Sequence, residues 1–232
     1  MIVVYGIVRA DHPPVVATGV HGAETFSVRS GALAAIVSRT EEELLARRRD
    51  VDAHLAVLES ALNGGDVLPF RFGTVVGDER SMRRVLDQSA TRFHLLLERV
   101  GGRVQMTVKA VRDDDEAVRI AVGSDDALRR AATRFSGSQA VSDRIALGER
   151  VAAAVDRLSR HDAALIVGRL RDVADEVSSE PVVPPTVANL ALLVRPEGLT
   201  DVDRVVASLH DELGARLSFD YAGPMPAYSF VT

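Results

Sequence analysis

Apolar and polar residues follow two rhythms along this chain, and the changes of rhythm mark out its elements. Residues 2–8, IVVYGIV, form a continuous apolar run, the pattern of a central strand covered on both faces. In ETFSVRS, Phe26 and Val28 alternate with Thr25, Ser27 and Arg29, which predicts a half-buried strand. GALAAIVSR follows at once, so a hairpin is expected around Ser30 and Gly31. Thr40 and Glu43 have the T-x-x-E spacing of a capping box. Leu44, Val51, Leu55, Leu58 and Leu62 fall on one face of the helix it would open. Asn63, Gly64 and Gly65 close that helix, because Asn and Gly tolerate the left-handed conformation at a helix C-terminus. DVLPFRFGTVV reads as extended: Pro69 disfavours helix, and Phe70 and Phe72 would project from the same side of a strand. A second helix is predicted from about Asp78 to Val100, with Met82, Leu86, Phe93 and Leu97 on its apolar face and Gly101 and Gly102 as its stop.

The second half repeats the two rhythms in another order. Val104, Met106, Val108 and Ala110 alternate as in a strand, DDDE at 113–116 reads as a solvated turn, and residues 125–135 look helical. Residues 138–178 lack proline and keep helical spacing through Val141, Ile145, Val151, Val155, Leu158, Leu165, Val173 and Val177. Gly148 and Gly168 weaken this helix by about 1 kcal/mol each against alanine. A break between Ser159 and Asp162 would make it a helical hairpin. SSEPVVPPT reads as a stiff linker, VANLALLV as a buried strand, residues 200–213 as a helix closed by Gly214, and RLSFDY as a final strand. The predicted fold is α+β with two domains. Residues 1–101 would form an N-terminal α/β domain with a mixed sheet. Residues 102–232 would form a C-terminal ferredoxin-like domain with an inserted helical hairpin at about 138–178 and a packed tail at 222–232.

Charge supports a seam in that region. Residues 1–112 carry 15 basic and 13 acidic side chains, a net of +2; residues 113–232 carry 13 and 20, a net of −7. The whole chain, at −5, is too weakly charged for a dedicated binder of nucleic acid or anionic membrane. With no cysteine it has no disulfide, thiolate or Cys-based metal chemistry. The start MIVVYGIVRADHPP lacks a basic leader and reads as a strand, so the cytoplasm is the expected location. Lys109 is the only lysine, a compositional bias without chemical meaning.

Catalytic patterns are missing: there is no G-x-S-x-G, Walker A, G-x-G-x-x-G or H-E-x-x-H. Asp50 and His54, at i and i+4, could share a metal, but no further ligands accompany them and a contact within the fold is expected. DDDE lacks EF-hand spacing. Arg47, Arg48 and Arg49 give the first helix a basic patch, with Arg48 turned toward the edge of the buried face. FRFGTVV superficially has the aromatics of an RNA-binding strand, but the basic residue and glycine are not placed before them. Phe70 and Phe72 are therefore expected in the core with Arg71 exposed.

AGPMPAYSFV, residues 222–231, is unusually apolar for a terminal segment. With Tyr221 it holds three of the chain's ten aromatic residues. Gly223 and Pro224 would turn the chain sharply after the last strand, and Pro226 would keep it extended. Such a tail packs either on its own protein or on a partner.

Five stretches occur here in a familiar order: VVYGIV, HLAVLESALNGGDVLPFRFGTVV, RIALGERVAAAV, VANLALLV and YAGPMPAYSF. Together they resemble the GvpL/GvpF family of gas vesicle proteins along essentially the whole chain. Ala222, Met225, Pro226, Ala227 and Leu192 depart from the family's usual residues. The resemblance implies a non-enzymatic accessory or minor structural protein of gas vesicle assembly. It would bind the hydrophobic shell protein GvpA, with other accessory proteins as further partners, and assist vesicle nucleation or growth at the vesicle or in the cytoplasm. It implies no cofactor, metal, nucleic acid or lipid membrane. The motif residues carried over, in structural or interaction roles, are Pro69, Phe70, Arg71, Phe72, Gly73, Thr74, Gly148, Asn189, Gly223, Pro224, Pro226, Tyr228 and Phe230. Two other classes stand beside it. A self-associating structural protein of another assembly would show a large self-complementary apolar patch. An enzyme on a ferredoxin-like scaffold would show a pocket of convergent polar groups.

Overall fold

The computed structural model describes residues 1–41, 43–135 and 141–231, with the backbone alone at Phe135. They form two compact units. The first comprises Met1–Met106, Leu193–Pro196 and the chain from Gly223 onward; the second comprises Thr107–Leu192 and Glu197–Ala222. Where the sequence division falls after residue 101 and leaves the tail with the second half, the contacts divide the chain after Met106 and return the tail to the first unit.

The first unit contains β1 (Ile2–Arg9), β2 (Thr25–Ser30), β3 (Leu33–Arg39), α1 (Arg48–Gly64), β4 (Leu68–Pro69), β5 (Val75–Val76), α2 (Glu79–Gln88) and α3 (Ala90–Val100). Its sheet has the order β2-β3-β1-β4, with β5 also on β1. Every pairing in it is antiparallel, so the expected mixed sheet is not formed. The reason lies in β1. Strands β3 and β4, joined through α1, run the same way and leave a slot between them that β1 fills in the opposite sense. β1 is buried from Ile2 to Val8, as its continuous apolar run requires. Val3, Tyr5, Val8, Ala34 and Ile36 of the sheet pack with Val57, Leu58 and Ala61 of α1. α2 packs against β2 and β3.

Three local expectations change. α1 begins at Arg48, and Thr40 does not cap it: the Thr40 N–H donates to the Met1 carbonyl at 3.1 Å, and its hydroxyl meets His21 Nδ1 at 3.2 Å. Leu44 reaches the core from the coil ahead of the helix, and Arg48 is exposed. The second predicted helix is two, α2 and α3, broken at Ser89, with Asp78 Oδ1 accepting from Ser81 N at 2.7 Å as the cap of α2. Residues 70–74 form a turn and not a strand. The N–H and hydroxyl of Thr74 both donate to the Arg71 carbonyl (3.2 and 2.7 Å), and Gly73 sits at φ +90°. Phe70 and Phe72 therefore meet different neighbours.

The remaining elements are β6 (Val104–Arg112), α4 (Asp114–Ser124), α5 (Asp126–Phe135), α6 (Val141–Arg171), β7 (Glu176–Ser179), β8 (Thr186–Val194), α7 (Leu199–Leu213) and β9 (Leu217–Met225). The strands form a second sheet in the order β7-β8-β6-β9. The acidic run is the start of α4 and not a turn: Asp113 Oδ1 accepts from Glu116 N at 3.0 Å, and acids suit the positive end of a helix. α6 is one 31-residue helix rather than a hairpin, and it ends before β7, where helical spacing had run on to residue 178. The expected break holds Asp162, whose two carboxylate oxygens accept from Arg216 Nε (2.9 Å) and Nη2 (2.8 Å). A polar residue at the expected break is thus a buried anchor. Ala117, Ala121 and Leu128 pack against Ala154 and Val155, small side chains that let helices approach closely. β9 does not turn at Gly223 but runs on to Met225. Gly223 has φ +129°, and a Cβ there would lie 2.6 Å from Met106 Sδ and 2.7 Å from the Gln105 carbonyl, so only glycine lets the strand pass.

Candidate interaction groove

An open groove of about 370 Å³ lies in the first unit. One wall is the segment Leu68, Pro69, Phe70, Arg71 and Thr74, and another is Val85, Ser89, Arg92, Phe93 and Leu96 from α2, α3 and the break between them. Tyr228 and Val231 of the tail complete the lining. The Phe70 and Phe93 rings meet edge to face with centroids 6.4 Å apart.

The first wall is held from beneath. Phe70 N–H donates to the Tyr5 carbonyl at 2.7 Å, and His54 Nε2 donates to the Phe70 carbonyl at 2.9 Å. His54 lies between the Tyr5 ring (5.1 Å) and the Phe72 ring (5.7 Å). Burial pushes the His54 pKa down, so the imidazole is neutral and its one N–H serves Phe70. Burial pushes the Tyr5 hydroxyl up, and it accepts from Val20 N (2.9 Å) beside the Ser38 hydroxyl (2.7 Å). Asp50 and His54 therefore do not act as a pair: His54 is spent on Phe70, and Asp50 lies 3.9 Å from His21 Nε2. Among the described residues no group of three or more acidic or histidine side chains could hold a metal.

The tail wall is clipped down by two polar residues. Gln105, buried in β6, accepts from Ser229 N at 2.9 Å, and Arg99 Nη1 donates to the Phe230 carbonyl at 3.1 Å. Phe230 is 1% exposed, under the Arg99 guanidinium at 5.8 Å, and Pro226 and Ala227 are buried. Tyr228 is half-buried, and burial raises its hydroxyl pKa to about 12, so it stays protonated.

The family model described as gas vesicle synthesis protein GvpL/GvpF matches residues 1–232. The chain belongs to the GvpL/GvpF family. It is 36% identical to gas vesicle protein F of Streptomyces sp. (strain CB03234), over 98% of each chain. Two crystal structures share its fold at 23% identity, covering all of this chain and 98% of theirs. They are gas vesicle protein GvpF from Anabaena sp. PCC7120, with a TM-score of 0.87, and GvpF from Microcystis aeruginosa, with a TM-score of 0.82. Among the described residues no helix is long and apolar enough to cross a membrane.

The GvpL/GvpF motif residues divide by position. Pro69, Phe70, Arg71, Thr74 and Tyr228 line the groove. Phe72 faces His54 instead, and Gly73 shapes the turn behind the wall. Gly223, Pro224, Pro226 and Phe230 belong to the strand and tail that carry Tyr228. Gly148, exposed on α6, and Asn189, in β8, belong to the second unit and line no part of the groove. Sequence reasoning named Phe93 only as helix core and missed Arg92, Leu96, Arg99 and Gln105. A polar glutamine inside the strand pattern VQMTVKAV was the one signal that could have found the clip.

Proposed function

We propose that this protein is a non-enzymatic accessory and minor structural protein of gas vesicle assembly. It binds the hydrophobic shell protein GvpA, alongside other accessory proteins, and assists vesicle nucleation or growth at the vesicle or in the cytoplasm. The reading rests on family membership and on one observation: motifs far apart in the chain, VLPFRFGT at 67–74 and PAYSFV at 226–231, converge on a single apolar groove. A client that aggregates in water needs a concave apolar surface to be held, not a centre that transforms it. The second sheet, with strand order β7-β8-β6-β9 and helices α4 to α6 in its first crossover and α7 in its second, serves in this reading as a ferredoxin-like scaffold with an enlarged first crossover.

The test is capture of GvpA from cells co-expressing it with the tagged full chain, compared with an unrelated ferredoxin-like protein. Enrichment is expected for the native chain and for an α6 surface variant such as Glu149→Gln, and loss for Leu96→Asp with unchanged thermal melting. Capture no better than the control would end the GvpA reading. Capture undiminished by Leu96→Asp would move the site away from the groove.

A further inference from the structure

The groove is apolar inside, but its rim carries charge of one sign. Arg71 and Arg92 both line it, both are exposed, and neither makes an ion pair with any described residue. Among the described residues no Asp or Glu lines it. Elsewhere in the protein the arginines near acids find them: Arg39 and Arg83 pair with Glu79, Arg169 with Glu212 and Arg204 with Asp201. Tyr228, between the two walls, adds a protonated hydroxyl that makes no hydrogen bond with a described residue. The groove thus presents two guanidinium forks and one O–H donor around an apolar floor, with no carboxylate among the described lining side chains.

We propose that the groove takes an apolar segment of its partner that carries a carboxylate, with the acid held by Arg71 and Arg92 and reached by Tyr228. This rests on the reading of the groove as the client site and names what the client must bring. Volume limits the apolar part. A cavity of about 150 Å³ accepts a benzene-sized group, so this groove seats about two large side chains and not a whole helix. Charge supplies the rest of the selection. A guanidinium matches a carboxylate with two parallel hydrogen bonds, and such contacts at a rim decide partner and orientation more than raw affinity. A segment bearing Lys at that place would meet two like charges and be refused.

The experiment uses the purified full chain and three fluorescein-labelled helical model peptides. Each has Leu and Phe one turn apart on an alanine background, with Glu, Gln or Lys beside them. The Glu peptide should bind about tenfold tighter than the Gln peptide, and the Lys peptide more weakly than either. Raising salt from about 0.05 M to 0.5 M should erase most of the Glu preference. Arg71→Gln and Arg92→Gln should each lower affinity for the Glu peptide and leave the Gln peptide unchanged, while Arg80→Gln, on the exposed side of α2, changes neither. Equal affinity for the three peptides, no binding of the Glu peptide, or a Glu preference that survives in the double arginine variant would overturn the proposal. The GvpA reading is judged separately. If GvpA is captured normally by the double arginine variant but lost with Leu96→Asp, the client site stands and carboxylate selection fails. If GvpA is never captured but the peptides are discriminated, the selection stands and the client is another protein.

Discussion

Each unit of the molecule buries an aspartate on the inner face of a helix, and the two are treated oppositely. Asp162 of α6, 1% exposed, has both oxygens filled by one arginine fork. Its carboxylate also raises the Arg216 pKa further above the ordinary arginine value. Asp50 of α1, 2% exposed, has an oxygen, Oδ2, with no hydrogen-bond partner among the described residues. Its nearest basic groups are the Arg49 guanidinium at 3.4 Å and the His21 ring at 3.9 Å, too distant for good hydrogen bonds. A buried charge that is fully paired locks an element in place, here the middle of a 31-residue helix. One that is half paired is a cost the rest of the unit must offset. The first unit offsets it with apolar burial, from β1 to Phe230.

The largest effect expected from this contrast is in the second unit. Arg216→Ala would strand Asp162 and should cost about 3–5 kcal/mol in urea unfolding followed by circular dichroism. The double change Arg216→Met with Asp162→Leu should recover most of that. A single variant of native stability would mean that the pair is not desolvated. The first unit's counterpart is Phe230→Ala, expected to cost about 3–5 kcal/mol because the ring fills a closed site. Native stability with lost client binding would make the tail a contact surface and not a clip. Tyr5→Phe comes next, at about 1–3 kcal/mol, since it leaves Val20 N–H and the Ser38 hydroxyl without their partner.

A smaller effect follows from pH. His54 is held neutral below its ordinary pKa of 6.5, so the unfolded chain takes up a proton there first as pH falls. Stability should therefore be steady above pH 6.5 and decline below it, and His54→Gln should flatten part of that decline. A urea midpoint equally steep in pH for both proteins would remove His54 as the cause. The smallest effect is Asp50→Asn. Removing a half-paired charge should change stability by less than about 1 kcal/mol, in either direction. A loss as large as that of Arg216→Ala would mean Asp50 has partners as good as Asp162's.

What was legible in the sequence was local. The apolar run of β1, the hairpin at Gly31, the buried β8 and the helix stop at Gly101 each follow from a few neighbouring residues, and each is present. What was not legible depended on distant partners. Leu44 has helical spacing from Leu55 and Leu58, yet its place in the core is compatible with coil. The polar stretch around Asp162 looks like a break until Arg216, 54 residues on, is set against it. Gly223 looks like a turn until Met106 and Gln105 crowd it. The groove shows the same division: the family motifs supplied Phe70, Arg71 and Tyr228, but nothing near Arg92 tied it to that site, and Gln105 stood out only as a polar residue inside a strand pattern.

The return of the tail to the first unit has a consequence for how the protein is made. Tyr228 and Val231 are translated after every residue of the second unit, so a nascent chain emerging from the ribosome carries β1, α1 and both arginines of the rim long before it owns the last wall. Until then the groove has its first two walls but lacks the tail wall that Gln105 and Arg99 clip through Ser229 and Phe230. The last wall is added only after the whole second unit has been translated. A chain interrupted before Tyr228 would hold ten of the twelve described lining residues and lack the tail wall.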